Sequence, residues 1–253
     1  MVRRMEQPTL TLVQLEVNPL PGVESYSPFC LKAHRALKAA GLRYQDRAVF
    51  TPGDRKRHNP TGQVPVLLVG DEAVPDSTAI LRRVLQLAPG RIAESPEAWL
   101  WEEMADTAIN GFLVAARWAD DRNWPAVRVA YFGGMPAPLR ALIPWRLRKR
   151  VVGNLVARDV WRAGEAACWT RFTTLLDQLD GRAPVEGFWL GGPLSVADIA
   201  LFGQLWSFRT PLTPWQAGEV EKRARLMRYL DRVDAATRGE AAVAAVTPLR
   251  RAS

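Results

Sequence analysis

Along the first part of the chain, hydrophobic positions first alternate and then recur at helical spacing. TLTLVQLEV reads as a strand, with Leu10 and Leu12 on one face and Val13, Leu15 and Val17 on the other. NPLPGVES then reads as a loop. From Pro28 the period becomes that of a helix, with Phe29, Ala33, Ala36, Leu37 and Ala40 on one face. Lys32, Arg35 and Lys38 fall elsewhere, and His34 shares their charged side, where a surface histidine is expected. Gly41 ends this helix. Residues 43–50 read as a second strand, and VPVLLVG followed by Asp71-Glu72 reads as the start of a hairpin. DSTAILRRVLQLAPG is a helix with Asp76 or Ser77 as its N-cap. The order is β-α-β, then β-β-α, which suggests an α/β domain on a small mixed sheet.

After Pro96 the pattern is helical. Trp101, Met104, Ala105, Ala108, Phe112 and Ala115 repeat at helical spacing, and residues 165–180, 195–208 and 219–235 read likewise. Ser195 and Asp198 form a capping box, with Leu194 and Ile199 placed as its hydrophobic staple. All ten tryptophans lie at or after Trp99. This shift in composition puts a domain boundary near Pro89–Pro96, with one domain over 8–90 and a helical one over 96–240.

Composition narrows the chemistry. The chain has 253 residues and two cysteines, Cys30 and Cys168, which is no disulfide framework and suits a reducing, cytoplasmic setting. The N-terminus lacks the apolar stretch of a secretory signal, and no apolar run reaches the roughly 18 residues of a membrane span. No Cys, His, Asp or Glu cluster has metal-ligand spacing, so no metal is expected. His58, in the basic RKRHNP stretch, reads as a loop residue, and Cys168 as a small core residue.

The chemistry concentrates at Ser27-Pro28-Phe29-Cys30. Proline favours the first helical position, so Ser27 falls at the N-cap, where unpaired N–H groups and the positive end of the helix dipole converge. Such a place stabilises an anion or a thiolate. A free thiol of pKa about 8.5 is only about 3% ionised at neutral pH. A hydrogen bond to a charged group contributes roughly 1.5–3 kcal/mol, and a helix N-terminus adds about 0.3–1 kcal/mol. Together they can make thiolate the major form. Cys30 is either a buried structural cysteine or a redox thiol, and Tyr26 is an alternative source of the hydroxyl.

The strand-loop-helix with SPFC, then NPTGQVPVLLVGDEAVPDSTAI, then a helical half containing SVAD resembles the glutathione S-transferase family over nearly the whole chain. In detail it resembles the metaxin and failed-axon-connections (Fax) branch, through the long loop before SPFCLK and the block YFGGMPAPLRALIPWRLRKRVV. The resemblance implies a thioredoxin-like N-terminal domain that binds glutathione, followed by an all-α C-terminal domain. Val64-Pro65 matches a V-P with a cis proline, whose preceding backbone pairs with the cysteinyl backbone of glutathione. Asp76-Ser77 matches the acidic-Ser pair that holds the γ-glutamyl end, and Gln63 a position that touches the peptide. Arg55, Lys56, Arg57 or His58 is implied to meet the glycyl carboxylate. Where thiol-transferring members have cysteine before the proline, this chain has Ser27, which implies a hydroxyl that stabilises the thiolate of bound glutathione.

The function implied is conjugation of glutathione, as co-substrate, to a small apolar electrophile seated between the domains. Trp118 and Trp124 are candidates to line that pocket. The alternative is a non-catalytic metaxin/Fax-like interaction protein. Family members are often homodimers.

Charge adds one further feature. The net charge is +8, and the segment from Arg122 to Gly164 holds nine Arg and Lys against Asp159 alone. A solvated helix face is the plain reading, and attraction of glutathione, an acidic substrate or an anionic membrane surface the sharper one. The segment has no helix-turn-helix, zinc-finger or RNP signature, which argues against nucleic acid.

Overall fold

The computed structural model describes residues 9–15, 23–49, 51–157 and 160–239. They divide into two compact units, one of residues up to Ile92 together with those from Ala236, the other of Ala93–Ala235.

The first unit is built on a four-stranded mixed sheet in the order β2-β1-β3-β4. Strand β1 (Leu10–Leu15) runs parallel to β2 (Gln45–Val49), with helix α1 (Pro28–Ala39) between them in sequence. Strand β3 (Val66–Val69) pairs antiparallel with both β1 and β4 (Glu72–Pro75), and helix α3 (Ser77–Leu87) follows. This is a thioredoxin-like arrangement. Leu12 and Val13, on opposite faces of β1, are both fully buried, so the sheet is covered on both sides. Val13, Val49 and Val66 pack together, joined by Val64 and Leu68. Val17 of the expected first strand and Phe50 of the second lie outside the described residues.

Helix α1 ends as its glycine predicts. Gly41 adopts φ +70°, its N–H donates to the Lys38 carbonyl and the Leu42 N–H to that of Leu37, which closes a Schellman motif. Its polar side departs from the pattern. Lys32, His34 and Arg35 are all buried instead of facing solvent. Each has a partner that periodicity could not supply. Arg35 pairs with Glu24 at 3.2 Å and donates to the Thr237 hydroxyl at 3.3 Å, while Lys38 pairs with the other oxygen of Glu24. His34 Nδ1 lies 2.7 Å from the Tyr44 hydroxyl. Burial pushes His34 down to about 4, aided by Lys38 and Arg35 and opposed by Glu24. A short helix, α2 (Pro52–His58), takes in His58, which the sequence reads as a loop residue. Thr51 caps it by accepting the Asp54 N–H at 3.1 Å.

The second unit is helical, with α4 (Pro96–Met104), α5 (Asn110–Trp118), α6 (Trp124–Phe132), α7 (Ala137–Ala157), α8 (Glu165–Arg182), α9 (Val196–Trp206), α10 (Pro214–Glu221) and α11 (Ala224–Thr237). A π-helical segment, Ala105–Ile109, joins α4 to α5. Its wider turn rotates the face, so Ala108 is exposed while Ile109 and Leu113 are buried. The helix expected over 219–235 is two. Asp180 of α8 accepts the Leu226 N–H at 2.8 Å, which satisfies the start of α11 and fixes the break after α10. The capping box at Ser195 forms as read. Asp198 is fully buried and accepts from the Ser195 N–H, the Ser195 hydroxyl, the Trp189 N–H and the Tyr229 hydroxyl. These bonds assign Ser195 and Asp198 to structure.

Candidate functional site

The first unit has a cavity of about 150 Å3, lined by Phe29, Asn59, Gln63, Val64, Pro65, Asp76 and Ser77. Three pieces of chain build it. The first turn of α1 supplies Phe29. The loop after α2 supplies Asn59 and Gln63–Pro65. The junction of β4 with α3 supplies Asp76 and Ser77.

The loop is held by its own polar atoms. Asn59 is buried, its Oδ1 accepts the Thr61 N–H at 3.1 Å and its Nδ2 donates to the Gln63 carbonyl at 3.1 Å. The Val64-Pro65 peptide bond is cis, and the Asp76 N–H donates to the Pro65 carbonyl at 3.3 Å. These bonds bring the loop and the start of α3 to one place.

Asp76 is the N-cap of α3 and has φ +79°, a left-handed value that Asp tolerates better than most residues. Its Oδ1 accepts from the Thr78 N–H at 2.9 Å and the Ala79 N–H at 3.1 Å. Among the described residues both bonds fall on Oδ1, which leaves Oδ2 for a cation. Ser77 is buried at the first position of α3, where the helix dipole favours negative charge. One edge of the cavity therefore offers a carboxylate oxygen beside a hydroxyl and a helix N-terminus.

Ser27 is not on the cavity wall. It is the N-cap of α1 with Pro28 at the first helical position, and its Oγ accepts the Cys30 N–H at 3.4 Å. Cys30 is fully buried, and burial pushes its thiol up to about 11 against hydrogen bonds from Ser27, the Leu15 backbone and Ser25. A thiol so held stays protonated near neutral pH, which favours the structural reading of Cys30 over the redox one. Tyr26 is buried. None of Arg55, Lys56, Arg57 and His58, all on α2, lines the cavity.

Asn59 and Phe29 are the lining residues that the sequence reading passed over. The Asn59-Pro60 dipeptide was the available signal for the first, since it marks a turn. Phe29 reads only as a core position of an amphipathic helix. Trp118 and Trp124 belong to the second unit, where their rings pack at a tilt of 41° with centroids 5.7 Å apart, and Trp118 also contacts Tyr131 and Phe132.

Comparison with known proteins gives the class. Residues 26–86 match the glutathione S-transferase N-terminal domain, and residues 158–232 match the glutathione S-transferase C-terminal domain. Together these spans exceed half of the chain, and the chain belongs to the glutathione S-transferase family. Comparison with curated protein sequences gave no match.

Solved structures share the fold. A glutathione S-transferase from Rhodospirillum rubrum is 17% identical, with a TM-score of 0.59 and 96% of each chain covered. A glutathione transferase family member from Pseudomonas fluorescens, solved with two glutathione bound, is 15% identical, with a TM-score of 0.57 and 91% of this chain and 90% of that one covered. A glutathione S-transferase from Methylobacillus flagellatus, solved with glutathione bound, is 18% identical, with a TM-score of 0.55 and 88% of this chain and 94% of that one covered.

Proposed function

We propose that the protein binds glutathione on the domain of residues 8–90 and conjugates it to an apolar electrophile. The observation that carries this reading is the convergence of Gln63, Val64, Pro65, Asp76 and Ser77 on one cavity. Family membership and the glutathione-bound relatives support it.

In this reading Asp76 holds the γ-glutamyl ammonium through the oxygen that helix capping leaves over. Ser77 and the N-terminus of α3 hold the γ-glutamyl carboxylate. The Val64 backbone pairs with the cysteinyl backbone, and Gln63 touches the peptide. Ser27 donates its hydroxyl hydrogen to the glutathione thiolate and takes no proton from it. The thiol proton passes to solvent. The sulfur then attacks the electrophilic carbon, a sulfur–carbon bond forms, and the leaving group departs with its bonding pair.

The reading includes a cytoplasmic homodimer, with 96–240 as the helical C-terminal domain. Among the described residues no helix is long and apolar enough to cross a membrane. The narrower metaxin/Fax placement rests on the long loop before SPFCLK, on SPFCLK itself and on the sequence of 131–152.

Calorimetric titration of the full chain with glutathione tests the reading. Saturable binding is expected, and its absence at millimolar ligand would remove the proposal. Turnover of an activated aryl halide then separates a transferase from an adaptor that binds glutathione without using it.

A further inference from the structure

The basic segment takes no part in the chemistry above. Some of its cations are tied down within the protein. Arg122 pairs with Asp120, and Arg148 pairs with Asp121 at 2.6 Å while its guanidinium lies 4.8 Å from the Trp124 ring. Others are not. Arg128, Arg140, Arg146, Lys149 and Arg150 are exposed, and among the described residues none of them pairs with a carboxylate. Helix α7 contains no acidic residue at all.

The same helix carries large apolar side chains in the open. Leu139 is 50% exposed, Leu142 48% and Trp145 62%, and Val129 on neighbouring α6 is 62% exposed. At about 100° per residue, Leu139, Leu142, Trp145, Arg146, Lys149 and Arg150 share one side of α7. Pro144 and Leu155, which are buried, fall on the opposite side. The ammonium of Lys149 lies 5.8 Å from the Trp145 ring.

A face that only aids solubility has no use for an exposed tryptophan between leucines. Duplex nucleic acid would engage the cations and leave the leucines in water. An anionic bilayer engages both, its headgroups meeting the cations and the acyl boundary receiving Trp145 and the leucines. We propose that α7 lies on the surface of an anionic phospholipid bilayer, parallel to it, with Leu139, Leu142 and Trp145 directed inward. This surface is independent of the glutathione cavity, so either proposal can fail without the other.

Co-sedimentation of the full chain with phosphatidylserine-containing vesicles, against phosphatidylcholine alone, tests it. Binding is expected only with phosphatidylserine and should weaken with added salt. Arg146→Glu/Arg150→Glu should weaken it at least about tenfold. Trp145→Ala should weaken it too, with an unchanged far-UV spectrum. The matched reversal Arg43→Glu/Arg47→Glu, on exposed residues of the first unit, should leave it intact. Equal binding to phosphatidylcholine, no binding at all, or equal loss in the matched reversal would overturn the proposal. So would a wild-type dimer that Trp145→Ala converts to monomer, because the face would then belong to a second copy. Tight binding of duplex DNA without vesicle binding would overturn it as well.

Discussion

Ser27 and Asp76 are both N-caps, and the proposed function gives each a second task through an atom that capping leaves over. For Ser27 that atom is its hydroxyl hydrogen. Ser27→Ala should lower conjugation at neutral pH about 10- to 100-fold, the equivalent of one hydrogen bond to a charged group. The pH–rate profile should move upward, toward the pKa of about 8.5 of a free thiol, so that rate returns in mild alkali. The Michaelis constant for glutathione should change little. An unmoved profile would take the thiolate away from Ser27. For Asp76 the capping and binding tasks can be separated. Asp76→Asn keeps a capping oxygen and a residue that accepts positive φ, so stability should hold within about 0.5 kcal/mol. Loss of the charge should still weaken glutathione binding at least about tenfold. Asp76→Ala should lose both, with about 1 kcal/mol of stability gone. Thermal melts and calorimetry on the two variants check this. Asp76 and Ser77 were legible in sequence because capping chemistry is local. For Asn59 the sequence offers only a turn signal, since its place on the cavity rests on side-chain bonds to Thr61 and Gln63 within the loop.

At the scale of elements, α1 shows where periodicity stops informing. Its apolar stripe was read correctly, but its charged residues were assigned to water. The structure buries Lys32, His34 and Arg35 because Thr78 reaches the first, Tyr44 the second, and Glu24 and Thr237 the third, all from elsewhere in the chain. Sequence carries charge at a position, not the partner that neutralises it. The consequence is a pH dependence. His34 has an ordinary value of 6.5 and a folded value of about 4, so between these the unfolded chain binds more protons. Stability therefore rises with pH through that window and falls on the order of 3 kcal/mol as pH drops from 6.5 to 4. Urea midpoints measured across this range should show the fall, and His34→Gln should flatten it. Glu24 acts lower. Burial raises its carboxyl, yet Arg35 and Lys38 outweigh burial and hold it below 4.5. Its contribution is present above that value and is lost as pH falls through the depressed one. If His34→Gln leaves the curve between 6.5 and 4 unchanged, the histidine is not its source.

At the scale of the whole molecule, the β-α-β, then β-β-α order of the first unit, apart from α2, was available from sequence, because alternation and the 3.6 period report burial directly. The π-helical segment at Ala105–Ile109 and the break between α10 and α11 were not, since side chains distant in sequence fix them. Both thiols are also a property of the fold. Burial pushes Cys168 up to about 12 and Cys30 to about 11. A disulfide reagent at pH 7–8 should therefore find almost no titratable thiol in the native protein, and both after denaturation. Rapid reaction in the native state would contradict the burial of one or the other. If the protein handles electrophiles as proposed, this burial decides what gets consumed. With both cysteine thiols protonated and buried, the thiolate offered to a reactive compound on the proposed reading is the one carried in by glutathione. Each encounter would then use up a replaceable small molecule, and the protein's cysteines would not be spent by alkylation.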